Sequence, residues 1–319
     1  MNKVQIRNSL LLLLTATIWG TAFVAQSVGM DYVEPFTFTF ARSIIGGIVL
    51  IPCIWFLRRL KGRASGSVAQ AAESNDAEVS CNGNTRTLVT RIEWIGGICC
   101  GLALCAASNF QQIGMVHTTV GKAGFITALY VVIVPIMGLF FKKKISFVVW
   151  ICVVLSVVGL YLLCMTERSL TLAYGDLLVL ICAILFSIHI MVIDYFSPQG
   201  DGVVMSCIQF FVCGIVSGVI MLFVETPSVE NIMAAAMPIL YAGVLSSGVA
   251  YTLQIVGQKD MNPTVASLIL CLESVVSALA GWLVLNEALS VRELLGCALM
   301  FAAIVMAQVP MPMRKVKKI

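Results

Sequence analysis

The stretch 262–287, NPTVASLILCLESVVSALAGWLVLNE, decides how this chain folds. Asn262 followed by Pro263 is a helix-start signal, and the apolar residues that follow are numerous enough to cross a bilayer. One acid, Glu273, stands ten residues after Pro263, which is about 15 Å along a helix and near the middle of a membrane. A carboxyl group at that depth raises the free energy of insertion, so it normally has a partner or a function.

The rest of the chain has the composition of a membrane protein. Hydrophobic residues make up 60% of the 319 residues and charged residues 11%, whereas soluble domains carry about 25% charged residues. The mean hydropathy is +0.99. We therefore predict an all-α integral membrane protein with ten transmembrane helices. The predicted spans are 9–28, 36–57, 94–114, 119–141, 147–164, 174–195, 203–224, 234–257, 263–285 and 291–309.

The basic residues predict the orientation of these spans. Most of the 20 lysines and arginines lie at the termini or in loops that alternating spans place on one side. The exceptions are Arg42, Lys122, Arg168 and Arg292. Because basic residues accumulate on the cytoplasmic side, we expect a multi-pass protein of the cell membrane with both termini in the cytoplasm.

The two halves of the chain align with each other. At an offset of 167 residues, IWGTAF around Trp19 meets LFSIHI around Phe186, and Arg42 meets Gln209. At an offset of 143 residues, Gln111 meets Gln254 and Gly114 meets Gly257, and the same offset aligns Tyr130 with Glu273. The offsets differ by about the surplus length of a polar insert at 58–93, which we expect to be mobile or disordered because it is rich in Gly, Ser and Asn.

Each half contains five predicted spans, an odd number, so the second half must enter the membrane upside down. We predict two inverted five-helix repeats, 1–165 and 166–319. Inverted repeats are typical of transporters, which bind their substrate near the midplane where the repeats meet. A duplicated scaffold without transport is the alternative.

Several segments resemble the EamA family of the drug/metabolite transporter superfamily. They are TIWGTAFVAQ at 17–26, FARSIIGG at 40–47, LES at 272–274, GWLVLNEALSVRELLGCALMFAAIVM at 281–306 and, in the first half, GKAGFITALYVVIVPIMGLFF at 121–141. The resemblance implies ten helices in two five-helix repeats, a central cavity and alternating access, often for export of small metabolites. The chain departs from the family pattern at 142–144, where three lysines replace the acidic turn that the second half keeps as Asn286–Glu287.

Polar residues inside the spans are the candidates for substrate binding. Glu273 can exchange a proton or meet a cationic group, or it can be a hydrogen-bonded structural acid; the LES context in the family favours the structural role. Arg42 can counter Glu273 or bind a substrate carboxylate. His189 can titrate during transport or pack in the core. Trp19 and Tyr130 can stack on substrate, although aromatic packing is the commoner use of such residues.

Two predicted spans carry polar stripes. Ser247, Tyr251, Gln254 and Gln258 follow helical spacing in the eighth span. Ser108 and Gln111 lie in the third, and the 143-residue offset pairs them with Tyr251 and Gln254. Such faces form either the walls of a cavity or a set of interhelical hydrogen bonds.

We therefore expect a secondary transporter of small, amino-acid-like metabolites, acting as an exporter. We find no nucleotide-binding or hydrolase motif and no metal-ligand spacing among the 12 cysteines, so we expect no enzyme activity, catalytic residue, metal or cofactor. The expected partners are a small-molecule substrate, the lipid bilayer and a coupling proton or other ion, with no nucleic acid; the sequence leaves the oligomeric state open. A non-transporting membrane sensor or assembly protein and a passive channel are the rival functions.

Overall fold

The computed structural model describes residues 3–72, 89–118, 120–143, 145–164, 174–277, 279 and 290–308. These ranges are helical and contain no strand. The helices are α1 (Lys3–Met30), α2 (Pro35–Ala72), α3 (Arg91–Val116), α4 (Val120–Ala128), α5 (Tyr130–Phe140), α6 (Phe147–Cys164), α7 (Tyr174–Phe196), α8 (Gly202–Val224), α9 (Val229–Ala234), α10 (Ala236–Leu240), a π-helix (Tyr241–Tyr251), α11 (Thr252–Gln258), α12 (Pro263–Leu270) and α13 (Val291–Gln308).

Within the described residues, seven helical segments are long and apolar enough to cross a membrane: Lys3–Met30, Pro35–Leu57, Arg91–Val116, Ala123–Phe140, Tyr174–Phe196, Gly202–Val224 and Ala236–Gln258. Two shorter apolar helices in the described ranges are Phe147–Leu162 and Pro263–Ser277. Large apolar side chains cover the outside of the bundle; Phe223, for example, is 85% exposed. Such a surface suits lipid and not water. The chain is therefore a multi-pass membrane protein, while the count of ten spans stays a prediction.

Several helices differ from the predicted spans. The second continues to Ala72, so the first part of the polar insert is helical and the expectation of disorder is wrong for 58–72; residues 73–88 lie outside the described ranges. The fourth is divided at Leu129. The eighth contains the π-helix, and the ninth has a turn at 271–272. The last part of the ninth predicted span, 280–285, also lies outside the described ranges.

The predicted helix start at Asn262 is confirmed. The Asn262 side chain accepts a hydrogen bond from Thr264 N at 2.9 Å, and Pro263 occupies the first turn, where it loses no helical hydrogen bond. Thr90 and Glu93 form a capping box at the start of α3. Local sequence thus fixes where both helices begin.

Polar contacts tie the loops together at two ends of the bundle. At the first, which we call the amino-terminal end, Asn8 Nδ2 donates to Lys259 O at 2.8 Å, Asp201 N donates to Glu93 Oε1 at 2.9 Å, and Lys143 pairs with Asp194. At the opposite end, the carboxylate of Glu225 accepts hydrogen bonds from the backbone N–H groups of Phe36 and Thr37, both at 2.7 Å. Because α2, α4 and α7 start at the opposite end, they run antiparallel to α1, α3 and α8.

Close packing at glycines follows the two offsets found in the sequence. A methyl group on Gly114 would lie 2.6 Å from Val179 of α7, and one on Gly257 would lie 3.1 Å from Leu12 of α1. Val179 and Leu12 are 167 positions apart, and the two glycines 143.

A second pair of glycines brings α2 and α8 together in the same way. Gly47 of α2 faces Phe211 of α8, and Gly214 of α8 faces Ile44 of α2. Both the glycines and their neighbours are related by the 167-residue offset. The two halves of the chain therefore meet through equivalent contacts.

Candidate functional site

A small cavity lies in the middle of the bundle, where α1, α2, α3, α7 and the divided helices meet. Its volume is about 30 Å³, which leaves room for little more than a water molecule or two. The residues that line it are Trp19, Phe23, Gln26, Arg42, Gln111, Thr127, Tyr130, Phe186, Ile190, Ser246, Tyr251, Gln254, Leu270 and Glu273. Seven of the nine predicted site residues are among them.

Arg42 is the cationic side chain of the cavity. It lies seven residues after the start of α2, about 10 Å from the opposite end of the bundle, and is only 3% exposed. Its Nη1 donates to Gln26 Oε1 at 2.9 Å, and its guanidinium carbon lies 5.9 Å from the centre of the Phe38 ring. No carboxylate forms an ion pair with Arg42 in the described part of the chain. The predicted pairing of Arg42 with Glu273 is therefore absent, and the remaining N–H groups are available to a ligand.

Glu273 is the acidic side chain of the same cavity. It is 4% exposed, and its Oε1 accepts a hydrogen bond from Tyr130 Oη at 3.1 Å. Among the described residues it has no cationic partner. The cavity thus has a buried guanidinium group and a buried carboxyl group on its wall, and neither forms an ion pair with a described residue.

Tyr130 and Glu273 follow equivalent breaks in two helices. In the first, Leu129 N donates to Ile126 O at 3.2 Å; in the second, Leu272 N donates to Ile269 O at 3.2 Å. Both bonds span three residues instead of four, which tightens the chain for one turn. Donors and acceptors in the two turns are 143 positions apart. Each break is followed at once by one member of the Tyr130–Glu273 hydrogen bond.

Trp19 and Tyr251 form an aromatic contact on the cavity wall. Their ring centres are 4.5 Å apart, and Tyr251 also packs edge-on against Phe210 at 5.5 Å and His189 at 6.0 Å. Trp19 Nε1 and Gln254 Oε1 are buried without a hydrogen-bond partner among the described residues. A buried polar atom without a hydrogen bond raises the free energy of the folded state, so these atoms mark places where a ligand or water can bind.

Three comparisons with known proteins bear on this geometry. The model of the EamA-like transporter family matches residues 7–74 and 173–308. The chain belongs to the EamA-like transporter family. This confirms the resemblance in the sequence, and it makes the bundle a membrane transporter with a small-molecule substrate.

Relatives of this EamA-like chain cover nearly its whole length. A protein of Archaeoglobus fulgidus named "Uncharacterized transporter" is 28% identical over 300 residues, which span 92% of this chain and 83% of that protein. A Bacillus subtilis protein named "Uncharacterized transporter YoaV" is 23% identical over 310 residues, 94% of this chain and 96% of that protein. A solved structure described as "Crystal structure of protein" superimposes with a TM-score of 0.70 at 18% identity, covering 94% of this chain and 96% of the other. That likeness concerns the fold alone.

The π-helix corrects the predicted polar stripe of this transporter. Ser246, Tyr251 and Gln254 face the cavity, whereas Ser247 packs against Gly46 of α2. A π-helix has more residues per turn than the 3.6 assumed for the stripe, so Ser246 takes the place predicted for Ser247. Gln258 donates instead to Ile190 O, at 3.5 Å.

Two predicted site residues are buried but do not line the cavity. Ser108 of α3 is 1% exposed, and the cavity-facing residue of that stripe is Gln111, whose Nε2 lies 3.3 Å from Thr127 Oγ1. His189 is completely buried and packs edge-on against the Tyr251 ring. Periodicity identified the helix face but could not tell a wall residue from a neighbour within the bundle.

Sequence reasoning missed Gln26, Thr127 and Ser246 as cavity residues. Gln26 had a signal, since it is an amide inside an apolar span. Thr127 and Ser246 had none, because hydroxyl groups in membrane helices commonly bond to their own backbone.

Proposed function

We propose that this chain is a secondary active transporter of small zwitterions, amino acids and related compounds that carry both a carboxylate and an ammonium group. The observation that carries the proposal is the placement of Arg42 and Glu273 on one cavity without an ion pair for either in the described residues. A carboxylate can pair with the planar guanidinium of Arg42, and an ammonium group with Glu273. Because a buried charge without a partner is costly, a ligand that pairs both charges is favoured over one that pairs neither.

We further propose that residues 1–165 and 166–319 are inverted five-helix repeats that meet at this cavity. The equivalent glycine contacts and the two equivalent helix breaks support this architecture. The Tyr130–Glu273 bond joins equivalent residues of the two halves, so the proposed symmetry axis passes close to it. Discontinuous helices at a repeat interface are a common setting for transporter sites.

Alternating access is the mechanism that we propose for this bundle. A cavity of about 30 Å³ is too small for an amino acid, so the helices must separate for binding. The Trp19–Tyr251 contact lies toward the amino-terminal end and Arg42 toward the opposite end. Rocking of the two halves about the Tyr130–Glu273 bond would open one side while it closes the other.

We propose export across the cell membrane, with both termini in the cytoplasm. The Lys143–Asp194 pair and the other loop contacts then form the cytoplasmic end. A proton or other cation that occupies Glu273 when substrate leaves would couple transport to an ion gradient. Green fluorescent protein fused to the carboxyl terminus, which fluoresces in the cytoplasm and not after export through the general secretory route, checks the orientation.

Counterflow into proteoliposomes tests the proposal directly. Vesicles preloaded with unlabelled L-alanine, L-threonine, L-leucine or L-lysine are diluted into the same labelled amino acid, with protein-free liposomes as the control. We expect saturable uptake of at least one of them, and competition by other zwitterions but not by acetate or ethylamine alone. No saturable flux across the panel would count against zwitterion transport, and unsaturable conductance would favour the channel.

A further inference from the structure

A buried polar cluster lies outside the cavity, in the half of the bundle nearest the amino-terminal end. His189 Nε2 and Gln209 Oε1 are 3.1 Å apart, and Gln209 Nε2 lies 3.5 Å from Ser206 Oγ. Ser206 Oγ in turn lies 2.8 Å from Thr252 Oγ1. His189, Gln209 and Ser206 are all 0% exposed. The cluster therefore joins α7, α8 and α11, and three of its four side chains have no access to solvent.

One nitrogen of this cluster lacks a partner. The amide oxygen of Gln209 can only accept, so His189 Nε2 carries the hydrogen and donates it. The other ring nitrogen, Nδ1, is then a bare acceptor. It is buried and has no hydrogen-bond partner in the described part of the chain. A buried acceptor in this state is complementary to a ligand that brings an N–H or O–H donor.

The position of the cluster mirrors that of Arg42. Gln209 is the equivalent of Arg42 at the 167-residue offset, and each lies seven residues after the start of its helix. Arg42 bonds to Gln26 on the preceding helix, α1, as Gln209 bonds to His189 on its preceding helix, α7. His189 lies one turn away from the strict equivalent of Gln26, which is Ile193. One pair lies about 10 Å from the opposite end, and the other about 10 Å from the amino-terminal end.

The ring of Tyr251 contacts both the cavity and this cluster. Tyr251 lines the cavity, and its ring centre lies 6.0 Å from that of His189. A zwitterion held between Arg42 and Glu273 has its carboxylate toward the opposite end and its ammonium group toward the middle of the bundle. The ammonium group therefore faces the half of the bundle in which His189 packs against Tyr251.

We propose that His189 Nδ1, held in place by Gln209, is a second subsite that accepts the ammonium group of the substrate beside Tyr251, in the half of the bundle nearest the amino-terminal end. The subsite rests on the proposed zwitterion transport and adds a second binding position to it. It is occupied when the Tyr251 ring turns aside and the amino-terminal end opens. Glu273 and His189 then hold the same ammonium group in succession.

Nitrogen NMR of the histidine side chains tests this subsite without a transport assay. The chain has two histidines, so ¹⁵N-histidine labelling of the His117→Gln variant in lipid nanodiscs leaves His189 as the single imidazole. The probe is methylammonium chloride, a cation with N–H donors. Tetramethylammonium chloride is the matched control because it has the same charge and no N–H group.

We expect methylammonium to move the Nδ1 resonance saturably upfield, toward the value of a hydrogen-bonded nitrogen, and tetramethylammonium to leave it in place. A resonance that moves with both cations, or with neither, overturns the subsite. Binding without counterflow of any amino acid would contradict the proposed transport and leave the subsite standing. Counterflow without a methylammonium shift would overturn the subsite and leave the proposed transport standing.

Discussion

Glu273 accepts a hydrogen bond from Tyr130 and has no ion pair among the described residues, so substitutions can test its acidic group and its hydrogen bond separately. Glu273→Gln keeps an oxygen that can accept from Tyr130 Oη and removes the negative charge. A charged hydrogen bond to an ammonium group contributes about 1.5–3 kcal/mol, so we expect counterflow of a zwitterion to fall about tenfold or more. The melting temperature in detergent should change little.

Tyr130→Phe is the control for this substitution. It removes the hydrogen bond and keeps the carboxylate in the cavity, so the loss of counterflow should be smaller than for Glu273→Gln. A Glu273→Gln protein that transports at the wild-type rate would assign this acid a purely structural role.

Arg42 determines, in this proposal, whether a substrate needs a carboxylate. Arg42→Gln introduces the amide that the second half has at the equivalent position, Gln209. We expect the KM for L-alanine to rise about tenfold or more, because a charge-assisted pair is lost, while competition by ethylamine improves relative to L-alanine. Competition curves in the counterflow assay measure both effects. Equal weakening of amine and amino acid would show that Arg42 supports the cavity and does not read the carboxylate.

The sequence identified the two charged residue types of the cavity, but it did not identify which of their neighbours line it. Arg42 and Glu273 could be identified because ionisable residues inside apolar spans are rare and raise the free energy of membrane insertion. Ser108 was predicted beside them because helical periodicity defines a face about a third of a turn wide, and His189 because a histidine inside an apolar span can titrate. Which residue of that face reaches the cavity depends on how the helices cross, and spacing along one helix does not contain that information.

At the scale of single helices, the π-helix marks an extra residue in the second half. Gly101 packs on Val212 of α8, and Gly243 packs on Ile45 of α2. The two neighbours keep the 167-residue offset, but the glycines are 142 positions apart, whereas Gly114 and Gly257 are 143 apart. One residue has therefore been added between Gly243 and Gly257, and the wider π-helical turns accommodate it.

Removal of one residue should restore an α-helix here. Leu245 is an exposed residue of the π-helix, and α3 keeps its glycine contacts with one residue fewer. We therefore expect deletion of Leu245 to preserve both glycine contacts and to keep the melting temperature within a few degrees. Ser246 would leave the cavity wall, so counterflow should fall.

The matched control is deletion of Leu102, at the equivalent depth of α3. That helix has no extra residue, so the deletion rotates its remaining residues by about 100° and should abolish folding. If both deletions were equally harmful, the extra residue in the π-helix would be part of the required framework.

The helix breaks show why element boundaries were less predictable than element identity. Neither break contains Gly or Pro: the residues are Leu129 in the first helix and Cys271–Leu272 in the second. Hydropathy therefore predicted uninterrupted helices at both places. The breaks occur where two equivalent helices bring Tyr130 and Glu273 together, which is a demand of the whole bundle and not of the local sequence.

At the scale of the whole molecule, the two proposed repeats should contribute equally to the interface between them. A methyl group on Gly101 would lie 2.7 Å from Val212 Cβ, and one on Gly243 would lie 2.8 Å from Ile45 Cβ. Such overpacking costs about 1–3 kcal/mol, so Gly101→Ala and Gly243→Ala should each lower the melting temperature by several degrees and by similar amounts.

Gly124→Ala is the control for this pair, because a methyl group there would meet nothing within 4 Å. Alanine also favours a helix over glycine, so this variant should melt at or above the wild-type temperature. Thermal unfolding of the detergent-solubilised protein, followed by tryptophan fluorescence, compares all three. A large loss for one member of the pair and none for the other would mean that the matching contacts do not share one symmetric framework, and rocking about the Tyr130–Glu273 bond would then lose its structural basis.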